Sequence, residues 1–273
     1  KLNIIKKRNS LLNIIHNQDC IEGMLALPSG SVDVVVTSPP YNLNIKYGTY
    51  KDDLPRDSYL KWLNDVFSAI KHCLKDDGHF FLNMGYSNID PWVGMDVGNV
   101  ARSMFVLQNN INWVKSIHVN DKTSGHFKPI NSKRFTCPTW ENLFHFTKTG
   151  KVEVDRLSVG VPYEYYEANL RGNNTKENKP NLRDKGNCWF IPYETINSKD
   201  LKGKHPATFP VKLVEQCILF SGIKNGTILD PFMGSGSSAV GAIKQNFNYV
   251  GFDIDQDYID FAESRILDTK NNI

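Results

Sequence analysis

Short β-branched runs alternate with amphipathic stretches at both ends of the chain, and that rhythm is lost in the middle. Asp33–Thr37 reads Asp-Val-Val-Val-Thr, the unbroken run of a strand buried on both faces. Tyr59, Leu63, Val66, Phe67, Ile70 and Leu74 recur at helical spacing, with Lys61, Asp65 and Lys71 between them. That pattern predicts an amphipathic helix over 57–75, with Asp57 or Ser58 as its cap. Gly78 punctuates, and His79–Asn83 reads as the next strand. Nearer the C-terminus, Pro210 opens a helix. Thr227–Leu229 reads as a strand, and a glycine-rich stretch leads into a helix from about Ser237 to Lys244. Tyr249–Phe252 is another strand. A last helix over about 256–269 carries Tyr258, Ala262 and Ile266 on one face. Strands alternating with helices predict an α/β fold, a doubly wound and mostly parallel sheet.

Residues 121–204 differ. Lys122–Phe135 and Asn169–Asn187 are polar, mostly positive and without periodicity. They read either as solvated loops or as a substrate-facing insertion.

Composition narrows the class. At 273 residues, 40% hydrophobic and 22% charged, the chain makes one large domain or two small ones and needs no covalent staple. A net charge of +3 excludes a polycation but leaves room for a local basic groove. The five cysteines, Cys20, Cys73, Cys137, Cys188 and Cys217, are scattered and never spaced C-x-x-C. That argues against a disulfide framework or a zinc ribbon, and the dispersed histidines offer no metal site. No run is long and apolar enough for a membrane span, and the N-terminal stretch lacks a signal peptide's apolar core. The expectation is a cytoplasmic protein without metal.

Two segments carry chemistry. After the strand ending at Asp230, Gly234 and Gly236 allow close backbone approach to a ligand, and a helix N-terminus offers N–H groups to an anion. Asp253 ends the following strand, seventeen residues after Gly236, where a carboxylate suits a ribose diol. Gly234-Ser-Gly236-Ser-Ser-Ala239 also fits a dinucleotide fingerprint. A dehydrogenase would open with this unit, whereas only twenty residues follow Asp253. The remaining strands must precede it, in permuted order. The second segment is Ser38-Pro39-Pro40-Tyr41, directly after the Val-rich strand. Two prolines fix a rigid turn at a strand's carboxyl end. They present the Ser38 hydroxyl, the Pro39 carbonyl and the Tyr41 ring, a set suited to an amino group on a planar base.

At these residues the sequence resembles the β group of amino-methylating DNA methyltransferases. That family carries (D/N/S)-P-P-(Y/F/W) first and D-P-F-x-G-x-G last, here Ser38–Tyr41 and Asp230–Gly236. Asn17–Glu22, His205–Pro210 and Gly251–Ile266 also resemble family segments. The resemblance implies S-adenosyl-L-methionine as cofactor, held by Asp19, Cys20, Thr208, Asp230, Phe232, Gly234, Ser235, Gly236, Ser237, Asp253 and Ile254. It implies Ser38, Pro39, Pro40 and Tyr41 as catalytic residues acting on a base flipped from double-stranded DNA. Serine at the first motif position usually accompanies cytosine N4, aspartate or asparagine adenine N6. Cytosine C5 methylation would need a Pro-Cys pair, and only the reverse, Cys137-Pro138, occurs. The domain plan it implies is a catalytic half over 1–120, a target-recognition insertion over 121–204 and a cofactor-binding half over 205–273. Arg134, Arg171 and Arg183 are possible base readers or phosphate contacts. A monomer or homodimer, with a restriction endonuclease as possible partner, completes the expectation. Two rivals stand beside it: a non-catalytic DNA-binding protein on this scaffold, and methylation of RNA or a protein amide.

Overall fold

The computed structural model describes residues 11–45, 49–125, 127, 130–164, 181–193 and 208–273. In chain order its elements are β1 (Ile14–Asn17), α1 (Cys20–Ala26), β2 (Val32–Thr37), α2 (Arg56–Cys73), β3 (Leu74–Met84), α3 (Val93–Arg102), β4 (Val106–Val114), β5 (Ser116–Val119), β6 (Lys122–Gly125), β7 (Trp140–Thr147), β8 (Cys188–Phe190), α4 (Val211–Ser221), β9 (Thr227–Asp230), α5 (Ser237–Lys244), β10 (Asn248–Asp253) and α6 (Gln256–Asn271).

Eight strands form one sheet in the order β1-β10-β9-β2-β3-β7-β4-β8. Within it β7 alone runs antiparallel to its neighbours β3 and β4. The Val run of β2 explains its central place, because both of its faces are covered. Val34 and Val36 pack on one side with residues of α4, α5 and α6. Val32 and Val35 pack on the other with α1, α2 and α3. This is the doubly wound α/β fold that the alternation predicts.

The chain leaves β9 toward β10 and leaves β2 toward β3, in opposite directions along the sheet. The β9–β2 boundary is therefore a topological switch point, where open α/β sheets leave a crevice at their carboxyl ends. Residues 17, 37, 230 and 253 end their strands on that edge. So does Met84 of β3, and because β7 runs the other way, its first residues lie there too, with Asn142 opposite Met84.

Two details differ from the sequence reading. Helix α2 begins at Arg56 behind Pro55, without a side-chain cap, so Asp57 lies inside its first turn. Strand β3 starts at Leu74 and continues past Gly78, with its register against β2 shifting between Leu74 and His79. A Cβ at Gly78 would lie 2.6 Å from Leu74 Cδ1, so this glycine relieves crowding rather than ending an element. The 121–204 stretch is interleaved with the sheet, since β7 and β8 both pair with β4. Among the described residues of that stretch, β6 forms a separate hairpin with β5.

Candidate active site

A cavity opens at the switch point, lined by residues from both ends of the chain. One end is built by the β2–α2 turn, where Ser38, Pro39, Pro40 and Tyr41 all face it. The turn is clamped from outside. The Tyr59 hydroxyl of α2 donates to the Pro40 carbonyl at 2.6 Å. Beyond Tyr41 the chain takes a left-handed step at Asn42, and the buried Asp52 carboxylate accepts from the amides of Asn42, Leu43 and Ile45.

The other end is built by β1, β9 and β10. Of the sequence-predicted residues, Asp19, Cys20, Thr208, Phe232, Gly234, Ser235, Ser237, Asp253 and Ile254 line the cavity. Asp19 also caps α1, its Oδ1 accepting from Ile21 and Glu22 amides. Asp253 is held by two backbone amides, Gly234 N at 2.8 Å and Asp255 N at 3.0 Å. Burial pushes its carboxyl up, and those amides pull it back toward the charged form. Arg265 of α6 donates to the Ser235 carbonyl at 2.6 Å, fixing the loop ahead of α5.

Two predicted ligands stand behind the wall instead. Asp230 is fully buried and accepts from Thr37 Oγ1 at 2.7 Å and Ser238 Oγ at 2.6 Å. Burial raises its carboxyl to about 6; it ties strand ends together and does not face the cavity. Gly236 takes a left-handed conformation at φ 80°. A Cβ there would sit 2.8 Å from Ala262 Cβ, so this glycine lets α5 approach α6. Tyr258, expected on the packed face of the last helix, lines the cavity. His205 and Arg171 lie outside the described residues. Arg134 is exposed and stacks on Phe135, its guanidinium 4.8 Å from the ring centre, and Arg183 is exposed beside β8.

Sequence reading missed an aromatic wall and an acid. Trp62 stacks on Tyr50 at 5.8 Å and meets Phe232 at 5.4 Å. Its place three residues after Tyr59 was the available signal. Glu141, the second residue of β7, is a buried carboxylate. Its Oε2 accepts from the Tyr41 hydroxyl at 3.0 Å and from Asn83 Nδ2 at 2.7 Å, and its Oε1 pairs with Lys115 Nζ at 2.8 Å. Burial opposes charge on Lys115, but Glu141 and Tyr193 outweigh it and raise its pKa. Burial, reinforced by Glu141, keeps the Tyr41 phenol protonated. Ser38 Oγ donates to Tyr41 Oη at 2.7 Å.

The chemistry available is acceptor chemistry beside a flat ring, without a nucleophilic thiol. Cys20 is the cysteine on the cavity wall, and burial raises its thiol to about 12. Among the described residues no cluster of metal ligands forms. No described helix is long and apolar enough to cross a membrane.

Residues 32–264 match the DNA methylase family N6_N4_Mtase. The chain is 28% identical over 264 residues to the type II methyltransferase M.BglII of Bacillus subtilis, covering 92% of this chain and 68% of that one. The fold is that of the PvuII DNA methyltransferase, described as cytosine-N4-specific, with a TM-score of 0.68, 20% identity and coverage of 94% and 91%. It is also that of the Thermus thermophilus protein TTHA0409 in complex with S-adenosyl-L-methionine. There the TM-score is 0.61 at 21% identity, with 93% of each chain covered. A permuted doubly wound sheet with an acceptor turn and a glycine loop at its switch point defines an amino-group methyltransferase. This chain belongs to the N6/N4 DNA methylase family and is a DNA methyltransferase.

Proposed function

We propose that the protein transfers a methyl group from S-adenosyl-L-methionine to the exocyclic N4 of a cytosine flipped out of duplex DNA. The observation that carries this reading is Ser38 at the head of the double-proline turn, at one end of a cavity whose other end holds Asp253 and the glycine loop.

The residues at that other end fit the cofactor. A carboxylate ends β10, the N-terminus of α5 opens at the wall, and the Phe232 ring and Ile254 supply apolar surface. Asp253 would take the ribose hydroxyls, Asp19 the adenine amine, and the Ser235 and Ser237 backbone the carboxylate. Bound there, the cofactor supplies an electrophilic sulfonium methyl.

The target amine lies inside a base pair, so the base has to leave the stack, at a cost of a few kcal/mol. Stacking on Tyr41 offsets part of that, by roughly 1–3 kcal/mol. The Pro39 carbonyl and Ser38 hydroxyl accept the two amine N–H bonds, localising the nitrogen lone pair and aiming it in line. Positioning supplies much of the rate, and the carbonyl dipole and ring face favour the positive charge developing on nitrogen. The methylated nitrogen is acidic at that point, so no strong general base is required.

The partner is duplex DNA, approached by the polar, mostly positive 121–204 region. There basic side chains would hold phosphates while base-edge readers set the sequence. Incubating the protein with labelled cofactor and genomic DNA, then separating nucleosides by mass, tests the proposal. It predicts label in N4-methylcytosine; label in N6-methyladenine would reassign the base, and unlabelled DNA would remove the proposal.

A further inference from the structure

A serine hydroxyl has one proton and two lone pairs, so its use at this site depends on which of them faces the target amine. A chain of hydrogen bonds behind the turn decides this by elimination. Lys115 and Glu141 form an ion pair with side chains only 12% and 11% exposed. An ammonium only donates, and the carboxylate it holds only accepts. Tyr41, 3.0 Å from Glu141 Oε2, therefore spends its single proton on that oxygen. Its own oxygen is left as an acceptor, and it takes two donors, Asn83 Nδ2 and Ser38 Oγ, each at 2.7 Å. Ser38 thus gives up its only proton to Tyr41.

Asn83 is locked in the same sense. Its Nδ2 reaches both Glu141 Oε2 and Tyr41 Oη at 2.7 Å. Reversing the amide would set its carbonyl oxygen against two acceptors. The orientation kept leaves Asn83 Oδ1 buried without a partner among the described residues, a cost typically about 1–3 kcal/mol. That cost is tolerated where the alternative is direct repulsion.

We propose that Glu141, held by Lys115 and Asn83, is a positioning residue that acts through the Tyr41 hydroxyl to fix Ser38 as a pure acceptor for the target amine. Without it the Ser38 hydroxyl would rotate and present its proton to the amine for part of the time. The inference rests on the reading of Ser38 given above, and it adds a task for Tyr41 beyond stacking.

The test is single-turnover methyl transfer at saturating cofactor and DNA. Tyr41→Phe keeps the ring and removes only the hydroxyl. It is expected to slow transfer at least 10-fold while the dissociation constants for cofactor and DNA stay unchanged. Because it acts through Ser38, Tyr41→Phe with Ser38→Ala should be no slower than Ser38→Ala alone. Glu141→Gln should slow the wild type yet add nothing in the Tyr41→Phe background. A Tyr41→Phe protein at wild-type rate, multiplying effects in the double variant, or a further loss from Glu141→Gln in that background would each overturn the inference. The wild-type rate separates the two readings. If the wild type methylates DNA and Tyr41→Phe does so equally well, only the positioning role falls. If the wild type transfers nothing to DNA, the proposed function falls and takes this inference with it.

Discussion

The Thr37 hydroxyl donates to the Asp230 carboxylate across 2.7 Å, joining residues 193 positions apart in sequence. One ends the strand that carries the double-proline turn, and the other ends the strand that carries the glycine loop. Ser238 at the start of α5 donates to the second Asp230 oxygen, so a single buried carboxylate sets the two halves of the site side by side.

That carboxylate titrates at an unusual place. Burial lifts it from 3.8 to about 6, against the hydrogen bonds that lower it. Its folded pKa lies above its unfolded one, so the folded state binds more protons between about pH 4 and 6. Its contribution to stability is greatest below that window and is lost as pH rises through it. Asp230→Asn should remove this fall. Chemical denaturation of wild type and variant across pH 4–7 checks it, and parallel curves would contradict the assignment.

A buried histidine pair works in the opposite sense. His79 Nδ1 lies 3.0 Å from His145 Nε2, and Asn109 Nδ2 lies 2.9 Å from the other His145 nitrogen. Burial lowers His79 to about 4. It lowers His145 to about 3, with His79 adding to the effect. Both folded values lie below the unfolded 6.5, so stability is full above about pH 6.5 and falls as pH drops toward about 4. A His79→Phe/His145→Phe protein, packed beside Phe81 and Phe220, should lose that acid slope. At neutral pH it should be less stable by about 1–3 kcal/mol, because Asn109 loses its imidazole partner, and that deficit should shrink as pH falls. Its thermal midpoints between pH 4 and 7 are the readout.

Asp253→Ala should weaken cofactor binding about 10- to 100-fold, since the carboxylate both faces the cavity and anchors Gly234 N. Calorimetry with S-adenosyl-L-methionine measures this directly, and an unchanged dissociation constant would count against a ribose role.

Gly236→Ala should be poorly tolerated for two reasons. The left-handed φ of 80° disfavours any side chain, and the new methyl would meet Ala262 at 2.8 Å. A loss of about 1–3 kcal/mol is expected, read as a lower denaturation midpoint. A variant as stable as wild type would show that the α5–α6 contact can yield.

What the sequence made legible was local. The Val run, the helical spacing of α2 and the two motifs each sit within a few consecutive residues, so their physics is written in neighbouring letters. Ser38–Tyr41 and Gly234–Ser237 were readable for that reason. Glu141 was not, because its meaning comes from Tyr41, 100 residues away, and from an antiparallel strand whose direction no periodicity reveals. Asp230 and Gly236 stand behind the cavity wall for a related cause. Both belong to a ligand-binding motif, yet one faces Thr37 and the other Ala262. Whether a motif residue touches the ligand or supports the one that does depends on packing from distant segments.

Methyl transfer to cytosine N4, as proposed, depends on the Ser38 acceptor. The most direct measurement compares wild type with Ser38→Ala on unmethylated duplex DNA and labelled cofactor, with nucleoside mass analysis and cofactor affinity measured on the same samples. The expected result is N4-methylcytosine from the wild type, and a loss of at least about 100-fold in the variant with cofactor binding retained. Full turnover by Ser38→Ala, or methyl found on a different nucleobase atom, would contradict it.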